Sequence, residues 1–105
     1  MKQRIERMEK LVRMYVASTI SKSLPSRHVT LQQIDVSPDM RHAVVWVSAF
    51  DDEKSDLLED ISEIRPEIQA ELARNLKTKF IPRLHFRYYS GSNHAKSIES
   101  LLNSL

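Results

Sequence analysis

The chain has 105 residues and 12.2 kDa, room for one folded domain and no second. With 41% hydrophobic residues it is too apolar for a disordered tail, while its longest apolar run, Ala43 to Val47, is far short of the roughly 20 residues that cross a bilayer. The absence of cysteine excludes disulfide frameworks, thiolate nucleophiles and thiolate zinc sites, and with charges where a signal peptide needs an apolar stretch, a cytoplasmic location is expected.

The net charge of +2 hides an uneven distribution. Segment 51–67 holds eight acids (Asp51, Asp52, Glu53, Asp56, Glu59, Asp60, Glu63, Glu67) against Lys54 and Arg65, a net −6, and the remainder holds 14 cations against six acids, a net +8. Such a molecule has one acidic flank and an otherwise basic surface, on which a polyanion can dock.

In chain order, Ile5, Met8, Val12, Tyr15, Val16, Ile20 and Leu24 recur at spacings of three and four and predict a helix that Pro25 ends. Val29 and Leu31 lie on one alternating phase and Ile34 and Val36 on the other, so a strand is expected with a bulge near Gln32 and Gln33. Ser37-Pro38-Asp39 makes the turn into a second strand, Ala43-Val44-Val45-Trp46-Val47, paired with the first as a hairpin. Leu57, Ile61, Ile64, Ile68, Leu72, Leu76 and Phe80 keep a helical period with Pro66 inside it, which predicts helix, kink, helix with the break close to Pro66. Leu84, Phe86 and Tyr88 alternate as a third strand after Pro82. Ser90-Gly91-Ser92-Asn93 is then a turn and helix cap, with a last short helix marked by Ile98, Leu101, Leu102 and Leu105. The expected fold is α+β, one domain over residues 1–105, in the order α, β, β, α-kink-α, β and a short C-terminal helix.

Gly91 is the only glycine, which excludes the phosphate-binding Walker loop, the dinucleotide fingerprint and the nucleophile elbow together. His28, His42, His85 and His94 show none of the short spacings that set two imidazoles on one metal, and no cofactor or metal is expected. Asp35 and Asp39 are close enough in sequence for paired-carboxylate chemistry, but capping the turn is the commoner role of an aspartate such as Asp39. No catalytic residue is assigned and no enzymatic activity is expected.

Arg4, Arg7, Lys10 and Arg13 recur every three residues on the first helix, with Arg7, Lys10 and Arg13 turned away from its apolar stripe and Glu6 and Glu9 diluting the row. After the kink, Arg74 and Lys77 fall on the side opposite Leu72 and Leu76 and therefore face solvent. Arg74, Lys77, Lys79 and Arg83 follow one another without an intervening acid, as a row tracking a phosphate backbone would. The single tryptophan, three tyrosines and three phenylalanines are mostly spent on the core in this reading, so no exposed aromatic platform for unpaired bases is expected.

Val36-Ser37-Pro38-Asp39-Met40 followed by Ala43, Val45, Val47 and Ser48, and then Leu72 with Lys79-Phe80-Ile81-Pro82-Arg83-Leu84-His85-Phe86, resemble the signature blocks of the ribosome-binding factor A family of bacterial small-subunit maturation factors. The resemblance implies a type II KH-like fold in which a kink between two helices, here at Ile64-Arg65-Pro66, replaces the glycine-rich RNA clamp. It also implies binding to 16S rRNA within the immature 30S subunit, assistance to late maturation including 5′-end processing of 16S rRNA, and a part in cold adaptation. A monomer with no membrane partner is expected. The RNA-binding candidates are Arg7, Lys10, Arg65, Arg74, Lys77, Lys79 and Arg83. A protein-interaction adaptor using the acidic segment 51–63 is the alternative, and a metal-dependent nuclease around Asp35, Asp39 and His42 is a third and lesser one.

Overall fold

The structure, a computed structural model, describes residues 2–49 and 54–89. Helix α1 (Lys2–Ser23) has no glycine or proline and buries Met8, Val12, Val16 and Ile20, the stripe its spacing predicts. Leu24 still donates to the Ile20 carbonyl (2.7 Å), after which Pro25 ends the helix.

Strand β1 (Val29–Val36) pairs antiparallel with β2 (His42–Ala49), and the register shifts between Leu31 and Gln33. This is the expected bulge. It changes the phase of the strand, so that Val29 and Leu31 before it and Ile34 and Val36 after it all pack against the same core. The hairpin loop is closed by Ser37: its backbone N–H donates to the His42 carbonyl (2.9 Å), its carbonyl accepts from Met40 N (2.8 Å), and its hydroxyl accepts from His42 N (3.1 Å). Met40 completes the reversal in a left-handed conformation, φ 61°.

Helix α2 (Lys54–Asn75) runs without interruption through Pro66, so the expected division into helix, kink, helix is corrected to one helix with a proline inside. A proline in a helix interior costs roughly 3 kcal/mol, because it offers no N–H to the Ser62 carbonyl and crowds that turn. Leu57 and Ile61 before it and Ile68 and Leu72 after it are fully buried. At about 1.5–3 kcal/mol for each buried side chain, these four outweigh the proline and hold both halves to one core. The helix ends at Asn75, sooner than the Leu72, Leu76, Phe80 spacing implies, and Phe80 lies outside it and exposed. The short segment 76–80 then leads to Pro82, which is buried, and to β3 (Arg83–Tyr88).

Strand β3 pairs parallel with β2, giving the sheet order β1-β2-β3 with α2 as the crossover. Both helices cover one face of the sheet, where Ala43, Val45, Val47 and Leu84 meet them. On the other face Val44 and Trp46 are buried with Tyr89 against them, and Trp46 Nε1 donates to Asp35 Oδ2 (3.0 Å). The expected C-terminal helix and the residues Asp51, Asp52 and Glu53 of the acidic segment lie outside the described residues.

Candidate nucleic-acid interface

The turn and the start of β3 are fixed to one another and to α2 by backbone groups. Arg83 N donates to the Arg41 carbonyl (2.8 Å), and Gln69 on α2 donates through Nε2 to the Pro82 carbonyl (2.7 Å) while its Oε1 accepts from Leu84 N (3.2 Å). The Gln69 side chain thus satisfies the outer edge of β3 and sets the position of the cations on either side of Pro82.

Around this anchor the structure gathers five cations. Arg41 and Lys79 lie over the ring of Phe80, at 4.8 and 5.7 Å from its centroid, and the Arg83 backbone is bonded to Arg41. Arg65, Arg83 and Arg87 all act on His85, whose pKa is lowered to about 4 by burial first, then by His42 and these three arginines. His85 is therefore neutral near pH 7. Its Nε2 shares a hydrogen bond with His42 Nδ1 across 3.0 Å, a contact that needs at least one of the rings uncharged. Arg65 and Arg87 line a cleft of about 210 Å³ between α2 and β3 together with Leu58, Ser62, His85 and Phe86. Arg65 also borders the depression beside Pro66 with Ser62 and Gln69. The Arg87 Nε–H is buried and has no hydrogen-bond partner among the described residues.

Of the seven candidates, the structure brings Arg65, Lys79 and Arg83 into this strip, with Lys77 exposed just before it. Arg74 is 65% exposed but forms an ion pair with Glu71 one turn back, which lowers the Glu71 pKa, so the row is not free of acids once folded. Arg7 and Lys10 are exposed on α1, a helix that packs chiefly against α2 and β1. Their neighbours on α1 have other tasks: Arg13 Nη1 donates to the Leu31 carbonyl (2.7 Å), and Glu9 accepts from Val36 N (3.4 Å), with burial raising the Glu9 pKa.

Arg41, Arg87 and the aromatic at the centre of the strip were not among the candidates. Of the aromatics expected mostly in the core, Phe80 is the exception, 46% exposed with cations around it. Asp39 caps the turn as expected, accepting from the Ser37 hydroxyl (2.7 Å) and Arg41 N (3.0 Å), which lower its pKa. Asp35 is held by Trp46 and by Gln33 Nε2 (2.7 Å), so the two carboxylates form no joint site. Among the described residues no three His, Asp or Glu side chains are gathered as for a metal ion.

A family model described as ribosome-binding factor A matches residues 4–102. The chain belongs to the ribosome-binding factor A family. The ribosome-binding factor A of Xanthomonas axonopodis pv. citri is 32% identical over 90 residues, 85% of this chain and 68% of that protein. That of Xanthomonas euvesicatoria pv. vesicatoria is 34% identical over 83 residues, 78% of this chain and 62% of that one. The chain thus spans about two thirds of the length of the curated relatives it matches. The crystal structure of ribosome-binding factor A from Thermus thermophilus superposes with a TM-score of 0.73 at 24% identity, covering 89% of this chain and 99% of that one. A Thermus thermophilus ribosome-binding factor A fitted into the cryo-EM map of a 30S complex gives 0.65 at 22% identity over 89% and 99% of the two chains. These likenesses show the fold, with which the KH-like order agrees. The family is one of ribosome-binding factors and not of enzymes.

Proposed function

We propose that this chain binds the immature 30S subunit through 16S rRNA and assists its late maturation, including 5′-end processing, acting as a cytoplasmic monomer with a part in cold adaptation. The observation that carries the reading is the strip of cations from Arg65 through Arg83 to Arg41 and Lys79, which no acid of the described residues neutralises by an ion pair. Lys77 extends it, Arg74 contributes less because of Glu71, and Arg7 and Lys10 form a second basic patch on α1.

Its mechanism is binding alone. A rigid basic surface recognises the shape and phosphates of folded RNA, and the conformer it fits gains population while slower pairing completes. The monomer is supported by the sheet edges: Glu9 and Arg13 cap backbone groups of β1 and Gln69 those of β3, so neither edge offers a full ladder to a second copy.

Co-sedimentation with 30S subunits at two salt concentrations tests the proposal. Lys77→Glu with Arg83→Glu should release the chain from the subunit, and loss of two phosphate contacts should flatten log K against log salt by roughly 1.4–1.8 units. Glu59→Lys with Glu63→Lys, on the exposed acidic side of α2, should leave binding unchanged or strengthen it. If the acidic reversal abolishes binding and the basic one does not, the adaptor reading replaces this one.

A further inference from the structure

Phe80 is one of two large apolar side chains strongly exposed among the described residues, 46% accessible where a ring of its size is ordinarily buried. It is not on a loose end. Its carbonyl accepts from the Thr78 hydroxyl (2.8 Å), Pro82 two residues on is buried, and the next residue, Arg83, is bonded to the Arg41 carbonyl (2.8 Å). The guanidinium of Arg41 and the ammonium of Lys79 lie at 4.8 and 5.7 Å from its ring centroid. The nearby Asp39 carboxylate is engaged by the Ser37 hydroxyl and the Arg41 backbone N–H.

A single exposed aromatic ring with two cations close to it fits one class of occupant. A protein partner burying apolar surface needs a wider patch than one ring, and the neighbours here are Lys77, Thr78, Lys79, Arg41 and Arg83. An unpaired nucleobase needs one π-face for its stack and cations for the phosphates on either side of it. We infer that Phe80 is a stacking platform for one unpaired RNA base, which displaces the cations now lying over the ring so that Arg41 and Lys79 turn to the flanking phosphates. This rests on the RNA-binding reading above and assigns it a base-contacting residue, where the cations alone track only the backbone.

The test compares an RNA hairpin carrying one unpaired adenine in its stem with a fully paired hairpin of the same length, bound to the full chain at fixed salt. The wild-type chain should prefer the first by roughly 5- to 150-fold, the range that one base–aromatic stack supplies. Phe80→Ala and Phe80→Leu should both erase that preference while leaving the affinity for the paired hairpin and the melting temperature almost unchanged. Phe80→Trp should keep the preference, and its exposed indole should be quenched by the unpaired adenine in a chain whose Trp46 is only 2% accessible. Lys79→Glu should weaken both hairpins together. If Phe80→Ala keeps the preference, or Phe80→Leu binds as the wild type does, the stacking inference falls and the RNA-binding reading stands. If the wild type binds neither hairpin nor 30S subunits, both fall.

Discussion

The two ends of α2 use charge in opposite ways. At its beginning the acids serve the fold. Asp60 pairs with Arg27 beyond the end of α1, and past the middle of the helix Glu67 accepts from the Ser23 hydroxyl (3.2 Å), so two carboxylates of the acidic segment tie α2 to the end of α1 and the loop after it. Asp56, Glu59 and Glu63 stay exposed, and Asp56 in the first turn also suits the helix dipole. At the other end Arg74 is held in an ion pair with Glu71, and Lys77, Lys79 and Arg83 extend past the helix into a segment that exposes a phenylalanine. Charge that a fold uses is neutralised locally, and charge left over is free for a partner. Both ends keep exposed charge, and only the basic end sets it around an exposed aromatic ring.

The largest effect that sharpens this contrast is on RNA affinity within the basic end itself. Arg83→Glu should weaken 30S binding and lower the salt slope by about 1 unit, as the loss of one phosphate contact does. Arg74→Glu should change the slope far less, since Glu71 already offsets that charge. Filter binding of both variants over a salt series measures this, and equal slopes would mean that local pairing does not decide which cations are available.

At the acidic end the expected effect is on stability. Arg27 and Asp60 are partly shielded, with side chains 21% and 33% exposed. Arg27→Ala should therefore cost about 1 kcal/mol, between the worth of an exposed pair and that of a buried charge-assisted bond. For a domain of this size that is roughly 4–8 °C in Tm. Binding to 30S subunits should not change. A loss of affinity without a change in Tm would place Arg27 in the interface and break the division between the two ends.

Much of this was legible in the sequence because it is local. The two phases of Val29-Leu31 and Ile34-Val36 announce the bulge, and Ser37-Pro38-Asp39 announces the turn. The apolar stripe of α1 comes out residue for residue. What was missed is set by the parallel register of β3 on β2, which pairs His42 with Arg83 and so carries His85 within hydrogen-bond reach of His42. No spacing rule contains a pairing across 43 positions. The same register places Arg41 beside Lys79, and the Gln69 clamp appears only once α2 and β3 are side by side. Phe80 misled for a different reason. Its spacing of four from Leu76 continues the helical pattern, and pattern does not register that the helix ends at Asn75, with Leu76 N donating to the Leu72 carbonyl (2.8 Å) as the last helical bond. Pro66 misled in the reverse direction, since its local cost is overruled by the core contacts on both sides of it.

The smallest expected effect concerns protons. His85 sits among Arg65, Arg83, Arg87 and His42, and burial with these cations lowers its pKa from 6.5 to about 4. In the unfolded chain the same imidazole takes up a proton near pH 6.5, so between roughly pH 6.5 and 4 the unfolded state binds more protons and stability falls with the pH. Above pH 6.5 both states are neutral at this group and its contribution is flat. His85→Gln keeps a polar side chain beside His42 and removes the titration, so Tm between pH 6.5 and 4 should fall less steeply in the variant than in the wild type, with the two curves parallel from pH 7 to 8. Because His85 adds no charge to the strip near neutrality, 30S binding of the variant should match the wild type at pH 7.5. Identical acid limbs for the two proteins would show that burial and the cations around His85 do not hold its proton off.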